Sequence, residues 1–446
     1  MSKLVIAAIT GNFHEVKRLV EHGADVNCDD QFEGSPLHIA TSSGSLEIVK
    51  YLLEHGADVN CENHHKGSPL RHAVSSGSLE IVKYLVEHGA DVNCGDQYER
   101  SPLHIATSSG SLEIVKYLVE HGAGVNCEDQ YEGSPLHIAT SSGSLEIVKY
   151  LVEHDADVNC ENDFEGNPLH SATSGSLEIV KYLLEHGADV NCENHYKGSP
   201  LHSAASSGSL ETVKYLLEHG ANVNFENHNK GSPLHSATSG SLEIVKYLVE
   251  HGADVNCEHH HKGSPLHSAV SSGSLEIVKY LVEHGADINC KSWWNNFEPV
   301  IQNAVKFGSL EMVKYLIEHG AELTNEENFD MPKILCLACE GGNASIVDYL
   351  LQHGVMKDVN NWKLHSPLRI ACLKGHTAVV QTLLKYNVDI RKEKEPLICG
   401  NNEIINILNV ELKKSLKHRK KITILKGMNN VNLTKNSITW KPGVAS

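Results

Sequence analysis

A segment of about 33 residues recurs along this chain, and this recurrence restricts the possible folds more than any other feature of the sequence. The segment SPLHIATSSGSLEIVKYLLEHGADVNCEN at residues 35–63 returns at residues 68–96 as SPLRHAVSSGSLEIVKYLVEHGADVNCGD. A constant period of this length indicates copies that stack on one another, because one copy has too few apolar side chains to hold its own shape. The chain of 446 residues is therefore expected to form an array of repeats.

Each copy predicts two helices followed by a loop. Ser35 suits the N-cap and Pro36 the first position of a short helix, and Ser45 suits the N-cap of a second, longer helix. The buried stripe of the second helix is expected to consist of Leu46, Val49, Leu52 and Leu53. Gly56 suits a left-handed stop, and Asp155 replaces this glycine in one copy at a cost of about 1 kcal/mol. The chain then runs through ADVN into a polar, hairpin-like loop, which we call the fingertip.

This unit resembles the ankyrin repeat. The family pattern of Thr-Pro-Leu-His, a Gly turn, and Leu-Leu near Gly-Ala-Asp-Val-Asn occurs here as SPLH…G…YLLEHGADVN, over roughly residues 1–410. The resemblance implies L-shaped repeats in a curved stack that binds proteins through a concave face of first helices and fingertips. It also implies that the histidine of Pro-Leu-His braces the loop by hydrogen bonds. These histidines are His38, His104, His137, His170, His202, His235 and His267, and the residues that replace them elsewhere are Arg71, Gln302, Cys336 and Arg369.

The predicted fold class is all-α, an ankyrin-repeat solenoid of about 13 helix-turn-helix-loop units. Residues 1–31 are expected to form an N-terminal capping repeat, 32–297 eight regular repeats, 298–395 three degenerate repeats and 396–410 a truncated C-terminal repeat. Residues 411–446 are expected to form a basic, disordered tail. The near-identity of copies, such as HSATSGSLEIV at 170–180 and 235–245, resembles ankyrin arrays of large DNA viruses and intracellular microbes. Degenerate starts predict that the array frays most readily beyond about residue 290.

Charge and cysteine usage exclude several classes of function. The net charge is −18, and residues 411–446 carry nine Lys or Arg against one Glu, which leaves −26 on residues 1–410. A body this acidic repels phosphate backbones, so nucleic-acid binding by the repeats is not expected. Eight of the 12 cysteines recur at one repeat position without CxxC partners, which favours semi-buried thiols in a reducing, intracellular compartment over a metal site.

No catalytic signature stands apart from the repeats, so we expect a non-enzymatic chain without a cofactor. Neither a signal peptide nor an apolar run of membrane-spanning length is found, and a monomer in the cytoplasm or nucleus is expected, that of a host cell if the source is viral or microbial. The pair Cys336 and Cys339 lacks a second ligand pair, and structural packing on a first helix is the favoured reading.

The fingertips vary while the scaffold does not, so they are the candidate contacts with an unidentified partner protein. The first five carry a summed formal charge of −10, and the next three sum to zero and are rich in His. This pattern would suit a partner with a basic segment facing residues 28–165. The alternative is that these loops are only solvated. The candidate residues are Phe32, Glu33, Tyr98, Glu99, Tyr131, Glu132, Phe164, Glu165, Tyr196 and His260.

Trp293 and Trp294 lie in the ninth fingertip, which is two residues longer than the others. Paired tryptophans on a protruding loop are good contact anchors. The alternative is that they pack against a neighbouring fingertip or cover the irregular unit that follows.

The basic tail offers a second function, that of a nuclear or nucleic-acid-associated adaptor. Six of the nine residues 413–421 are basic: Lys413, Lys414, Lys417, Arg419, Lys420 and Lys421. Such a run can act as a nuclear-targeting or anion-binding patch. It can equally be a basic helix against the acidic body, or a polar C-terminal cap.

Overall fold

The computed structural model describes residues 2–28, 34–131, 133–163, 166–292, 298–307, 309–323, 333–355, 366–386, 388, 390, 397–399, 401–414, 424–426 and 437–438. Its contacts divide the chain into two compact units, residues 1–228 and 229–446. Both units repeat the same order of elements, namely a short first helix, a second helix and a loop.

The first unit contains seven helix pairs. The first helices are α1 (Lys3–Ile9), α3 (Pro36–Ser42), α5 (Pro69–Ser75), α7 (Pro102–Ser108), α9 (Pro135–Ser141), α11 (Pro168–Thr173) and α13 (Pro200–Ser207). The second helices are α2 (Phe13–Glu21), α4 (Leu46–Glu54), α6 (Leu79–Glu87), α8 (Leu112–Glu120), α10 (Leu145–Glu153), α12 (Leu177–Glu185) and α14 (Leu210–Glu218). Each first helix packs on the first helix of the next copy, and each second helix on the next second helix.

The second unit contains five described helix pairs. The first helices are α15 (Pro233–Ala237), α17 (Pro265–Ser272), α19 (Val300–Phe307), α21 (Lys333–Gly341) and α23 (Pro367–Lys374). The second helices are α16 (Leu242–Glu250), α18 (Leu275–Glu283), α20 (Leu310–Glu318), α22 (Ala344–Gln352) and α24 (Thr377–Lys385), and α25 (Asn402–Lys414) follows them. The strands among the described residues are β1 (Lys291–Ser292), β2 (Glu298–Pro299), β3 (Leu397–Cys399), β4 (Ile424–Lys426) and β5 (Ser437–Ile438).

The Ser-Pro-Leu-His motifs lie at the starts of the first helices, as the sequence predicts. Pro102 is the first residue of α7, where its missing N–H leaves no bond unmade. The His104 N–H donates to the Ser101 hydroxyl at 3.4 Å, and the Ser101 N–H donates to Nδ1 of His104 at 3.1 Å. These reciprocal bonds satisfy donors that a helix start otherwise leaves free.

The second helices end where glycine was predicted. Gly56 follows α4 with φ +88°, and most of the other described copies have glycine there with similar angles. Asp155 adopts the same left-handed conformation with φ +66°, which confirms that one copy carries a strained residue at this position.

The buried stripe of the second helix differs from the sequence expectation. Ile48, Val49 and Leu52 are buried, whereas Leu46 and Leu53 are only half-buried. The reason is that α4 packs on α3 of its own copy and also on α2 and α6 of the neighbouring copies, so the buried face is turned toward Ile48. Leucine spacing alone does not reveal this second contact.

Two further features depart from a purely helical array. β1 and β2 pair antiparallel, and β3 pairs parallel with β4, which pairs antiparallel with β5. The truncated repeat is predicted to end at residue 410; α25 runs across this position to Lys414, and its residues Ile404 and Leu408 are buried. The tail was expected to be disordered, whereas the structure describes β4 and β5 within it; the remaining residues after 414 lie outside the described residues.

Candidate protein-binding surface

Most of the described fingertips are tight turns closed by one Asp or Asn side chain, and His259 closes the turn in the same way in one copy. Oδ1 of Asn63 accepts hydrogen bonds from the N–H groups of His65 at 3.0 Å and Gly67 at 2.8 Å. Oδ1 of Asp129 closes its own fingertip in the same way, with bonds from Tyr131 and Gly133. Side chains of this type can mimic a backbone turn and fix its shape. The residue two positions after the Asp or Asn therefore stands at the tip.

Neighbouring fingertips are joined by main-chain hydrogen bonds. The Gln97 N–H donates to the carbonyl of His65 at 3.2 Å, and the Gln130 N–H donates to the carbonyl of Tyr98 at 3.0 Å. The same bond joins Asp163 to Tyr131, His228 to Tyr196 and, in the second unit, His260 to Asn229. The backbone of the row is thus held from copy to copy, while the tip side chains Tyr98, Tyr131 and Tyr196 remain substantially exposed.

The histidines of Pro-Leu-His brace the following fingertip, as the family resemblance implies. Nε2 of His104 lies 3.0 Å from the carbonyl oxygen of Gly133, and Nδ1 accepts from the Ser101 N–H. The proton must therefore sit on Nε2, which donates to Gly133. Burial lowers the pKa of His104, so the ring is neutral at neutral pH. Equivalent bonds to the next fingertip are made by His38, His137, His170 and His235.

A ladder of asparagines from the ADVN-type segments connects successive copies by hydrogen bonds. The sequence analysis did not predict this ladder. Nδ2 of Asn93 donates to the carbonyl of Gly122 at 3.1 Å, and Oδ1 of Asn93 accepts from the Gly124 N–H at 2.9 Å. One side chain thus satisfies two main-chain groups of the next copy. The same pair of bonds is made by Asn27, Asn60, Asn126, Asn159 and Asn191, and in the second unit by Asn256 and Asn289. The available signal was the recurrence of Asn at this position in the copies up to Asn289, although the two residues before it vary.

Burial raises the pKa of several of the recurring cysteines. The described cysteines are free thiols, and Sγ of Cys160 lies 3.3 Å from the hydroxyl oxygen of Ser134 and 3.8 Å from Nδ1 of His137. Burial raises the pKa of Cys160 to about 11, and neighbouring Asp157 adds to this. The thiolate needed for attack or metal binding is therefore scarce at neutral pH. Among the described residues, no cluster of His, Cys, Asp and Glu is placed to hold a metal ion.

The second helices carry a self-contained stripe of Lys, Tyr and His. Nζ of Lys83 lies 5.7 Å from the ring centroid of Tyr117, whose ring lies 3.9 Å from that of His121. Nδ1 of His121 donates to the carbonyl of Tyr117 at 2.7 Å, so the histidine closes the helix end. This arrangement recurs in both units, and each lysine contacts the tyrosine of the following copy. Because these side chains already contact one another, the fingertip side of the array offers freer groups for a partner.

The structure describes five of the twelve predicted contact residues. Tyr98, Tyr131 and Tyr196 are 42%, 48% and 68% exposed, and Glu99 and His260 are exposed as well. Tyr98 and Tyr131 lie on adjacent fingertips that share a main-chain bond. The predicted contacts that lie outside the described residues are Phe32, Glu33, Glu132, Phe164, Glu165, Trp293 and Trp294.

The basic run of the tail is only partly described. Lys413 and Lys414 are the last two residues of α25, and their side chains lie outside the described part of the structure. The same holds for the whole of Lys417, Arg419, Lys420 and Lys421.

The departures from the bracing histidine have different outcomes. Arg71 also braces the following fingertip, because its Nη2 donates to Oδ2 of Asp96 at 2.6 Å. Gln302 in the degenerate part is buried, and its Oε1 has no hydrogen-bond partner among the described residues. Of the replacements that the sequence identifies, Arg71 thus makes a different bond to the following fingertip, whereas Gln302 leaves a buried oxygen without a described partner.

No helix in the described part of the chain combines the length and the apolar character that crossing a membrane requires. Two family models match the sequence. The model described as "Ankyrin repeats (3 copies)" matches residues 2–63, 60–129, 121–194, 201–292 and 301–394, and "Ankyrin repeats (many copies)" matches residues 172–217. No curated protein matches the chain significantly. The matched residues cover most of the sequence, and with the braced helix pairs they establish that the chain belongs to the ankyrin-repeat family.

Proposed function

We propose that this chain is a non-catalytic scaffold that binds a partner protein along its fingertips and first helices, and that the partner presents a basic segment. Ankyrin repeats are in general protein–protein interaction modules. The observation that carries the proposal is the row of exposed tyrosines, Tyr98, Tyr131 and Tyr196, on fingertips whose main chain is fixed by bonds between copies. Rigid, exposed aromatic rings give contact area at low entropic cost.

Charge favours a basic partner over a neutral one. Residues 1–410 carry a net charge of −26, and the first five fingertips carry −10 of it. Such a field speeds the approach of a positively charged segment and weakens as salt screens it. The His-rich fingertips at residues 192–263 are formally neutral, so we place the basic segment opposite residues 28–165.

The test is affinity capture from a cell extract with the full-length chain at low and high salt. The double variant Tyr98→Ser with Tyr131→Ser should lose the captured protein, whereas Tyr98→Phe with Tyr131→Phe, which keeps both rings, should retain most of it. High salt should release the partner from the wild-type chain. Capture that is indifferent to both the tyrosines and the salt would contradict the proposal.

The alternative function, that of a nuclear or nucleic-acid adaptor, depends on the basic run at residues 413–421. Neutralising Lys417, Arg419, Lys420 and Lys421 to Gln tests it without shortening α25. If these changes abolish retention on an anionic matrix but leave protein capture intact, the tail has a role separate from that of the array.

A further inference from the structure

One copy departs from the regular array at several places, and three of these changes make its charge more positive. Arg71 replaces the bracing histidine, Arg100 replaces the glycine that stands at Gly133 in the next copy, and Gly95 replaces the glutamate that stands at Glu128. The copies are otherwise nearly identical, so the coincidence of three changes of one sign is a local feature.

Arg71 lies at the base of this surface and is nearly fully buried. The residue is 8% exposed, and its Nη2 donates to Oδ2 of Asp96 at 2.6 Å. Its Nε makes no hydrogen bond to any described residue. A buried guanidinium nitrogen without an acceptor is unfavourable, so Asp96 alone does not satisfy all the donors of Arg71.

Arg100 stands at the rim of the same surface. Its Nη2 lies 3.2 Å from the same oxygen, Oδ2 of Asp96, and its guanidinium lies 5.3 Å from the ring centroid of Tyr98. The Arg100 side chain is 47% exposed, so part of its donor fork faces solvent. Asp96 is committed elsewhere as well, because its Oδ1 closes the fingertip by accepting from the N–H groups of Tyr98 and Arg100.

These residues line a groove of about 560 Å³ between the third fingertip and helices α5 and α7. Its walls include Arg71, His72, Asp96, Tyr98 and Arg100. The volume falls within the range of about 300–1,000 Å³ that ligand sites occupy. Two arginines face one aspartate, and burial keeps His72 neutral, with a pKa of about 4. The lining therefore carries a net charge of +1 within a strongly acidic array.

We propose that this groove binds the carboxylate of one acidic side chain in the partner's otherwise basic segment, and so fixes the register of that segment on the array. This inference rests on the proposed function. A monoanionic carboxylate matches the single excess positive charge and the planar donor fork of arginine. A phosphate dianion would leave a net negative charge beside the acidic fingertips, so the carboxylate is the better match.

The probes are three short fluorescein-labelled peptides of alternating lysine and glycine, with glutamate, glutamine or phosphoserine at the centre. Binding to the full-length chain is measured by fluorescence anisotropy. Glutamate lowers the positive charge of the peptide, so nonspecific attraction to the acidic array favours the glutamine peptide. We expect the opposite order, with the glutamate peptide bound about tenfold more tightly, since charge-assisted hydrogen bonds to arginine outweigh that loss.

The matched variant is Arg71→His with Arg100→Gly, which restores the residues of the regular copies and should keep the fold, as circular dichroism can check. It should reduce the preference for glutamate from about tenfold to about one. Gly95→Glu, a surface change in the same fingertip, should reduce it about threefold and keeps the test valid if the double variant unfolds.

Equal affinity of the wild-type chain for the glutamate and glutamine peptides overturns this inference but leaves the proposed function standing. A preference for glutamate that survives both variants overturns it too, and tighter binding of the phosphoserine peptide contradicts the carboxylate assignment. If none of the peptides binds at low salt, the inference and the basic-segment proposal both fail.

Discussion

Replacing Asp155 with glycine should stabilise the first unit. Among the described copies, Asp155 is the one non-glycine residue in the left-handed conformation at this turn position, and this conformation is unfavourable for a residue with a Cβ atom. Its φ is +66°, and the glycines at the equivalent position have φ between +82° and +99° in the copies from Gly23 to Gly320. The side chain is exposed, and the two contacts of the residue are made by its main chain. The Asp155 N–H donates to the carbonyl of Val152 at 3.2 Å, and its carbonyl accepts from Asn126 at 2.9 Å. Glycine keeps both bonds.

The expected gain has two parts. Relief of the left-handed conformation contributes about 1 kcal/mol. Removing a negative charge just after the C-terminus of α10 contributes a further few tenths of a kcal/mol, since that helix end carries a partial negative charge. The free energy of unfolding should therefore rise by about 1–1.5 kcal/mol for Asp155→Gly.

Urea unfolding followed by circular dichroism measures the change, with native-state hydrogen exchange of α10 and α12 as a local readout. The reverse substitution Gly122→Asp, at the same position of the preceding copy with φ +91°, is the matched control and should lower the free energy by a similar amount. If Asp155→Gly leaves the free energy of unfolding unchanged or lowers it, the left-handed conformation of Asp155 does not destabilise the fold by about 1 kcal/mol.

Three further changes are expected to be measurable. Burial is the main reason why the pKa of His72 is lowered from 6.5 to about 4 in the folded chain. The unfolded chain therefore binds this proton at a higher pH, and the free energy of unfolding should fall by at most about 3 kcal/mol as the pH drops from 6.5 to 4. Urea unfolding across this pH range should show a smaller fall for His72→Ile, which introduces the residue of the regular copies. His137→Ala leaves the buried Ser134 N–H and Gly166 carbonyl without their hydrogen-bond partner and should lower the free energy of unfolding in urea by about 2–4 kcal/mol. Asn126→Ala, at an exposed site, should lower it by about 1 kcal/mol. Cys160, with a thiol pKa of about 11, should react with iodoacetamide at neutral pH far more slowly than a small free thiol, as mass spectrometry would show; rapid labelling of the folded chain would contradict its burial.

Local chemistry made most of the fold predictable. Ser101 and Pro102 start a helix, and Gly56 ends one, through bonds and angles that involve only a few neighbouring residues. The strained position at Asp155 follows from the same rule. The buried face of α4 was less predictable, because α4 also packs on second helices of the neighbouring copies, which spacing within one helix does not represent.

The candidate site depends on contacts between copies, and this is why the sequence revealed it only in part. The exposed tips Tyr98 and Tyr131 were identified from their variation. The pairing of Arg71 with Asp96 spans 25 residues and requires the stacking geometry to be known, so the sequence identified Arg71 only as a replacement of the bracing histidine. The contact of Lys83 with Tyr117 is of the same kind, since its two members belong to successive copies.

The asparagine ladder has a consequence for how such a chain can change over generations. Each asparagine reaches only the copy that follows it, as Asn93 does in holding Gly122 and Gly124. Unequal recombination that inserts or removes a whole copy within this ladder would leave every remaining rung complete, because any regular copy can serve as the next one. A lineage could thus lengthen or shorten its recognition row in single steps, and each step would change the spacing between the Arg71 groove and contacts farther along.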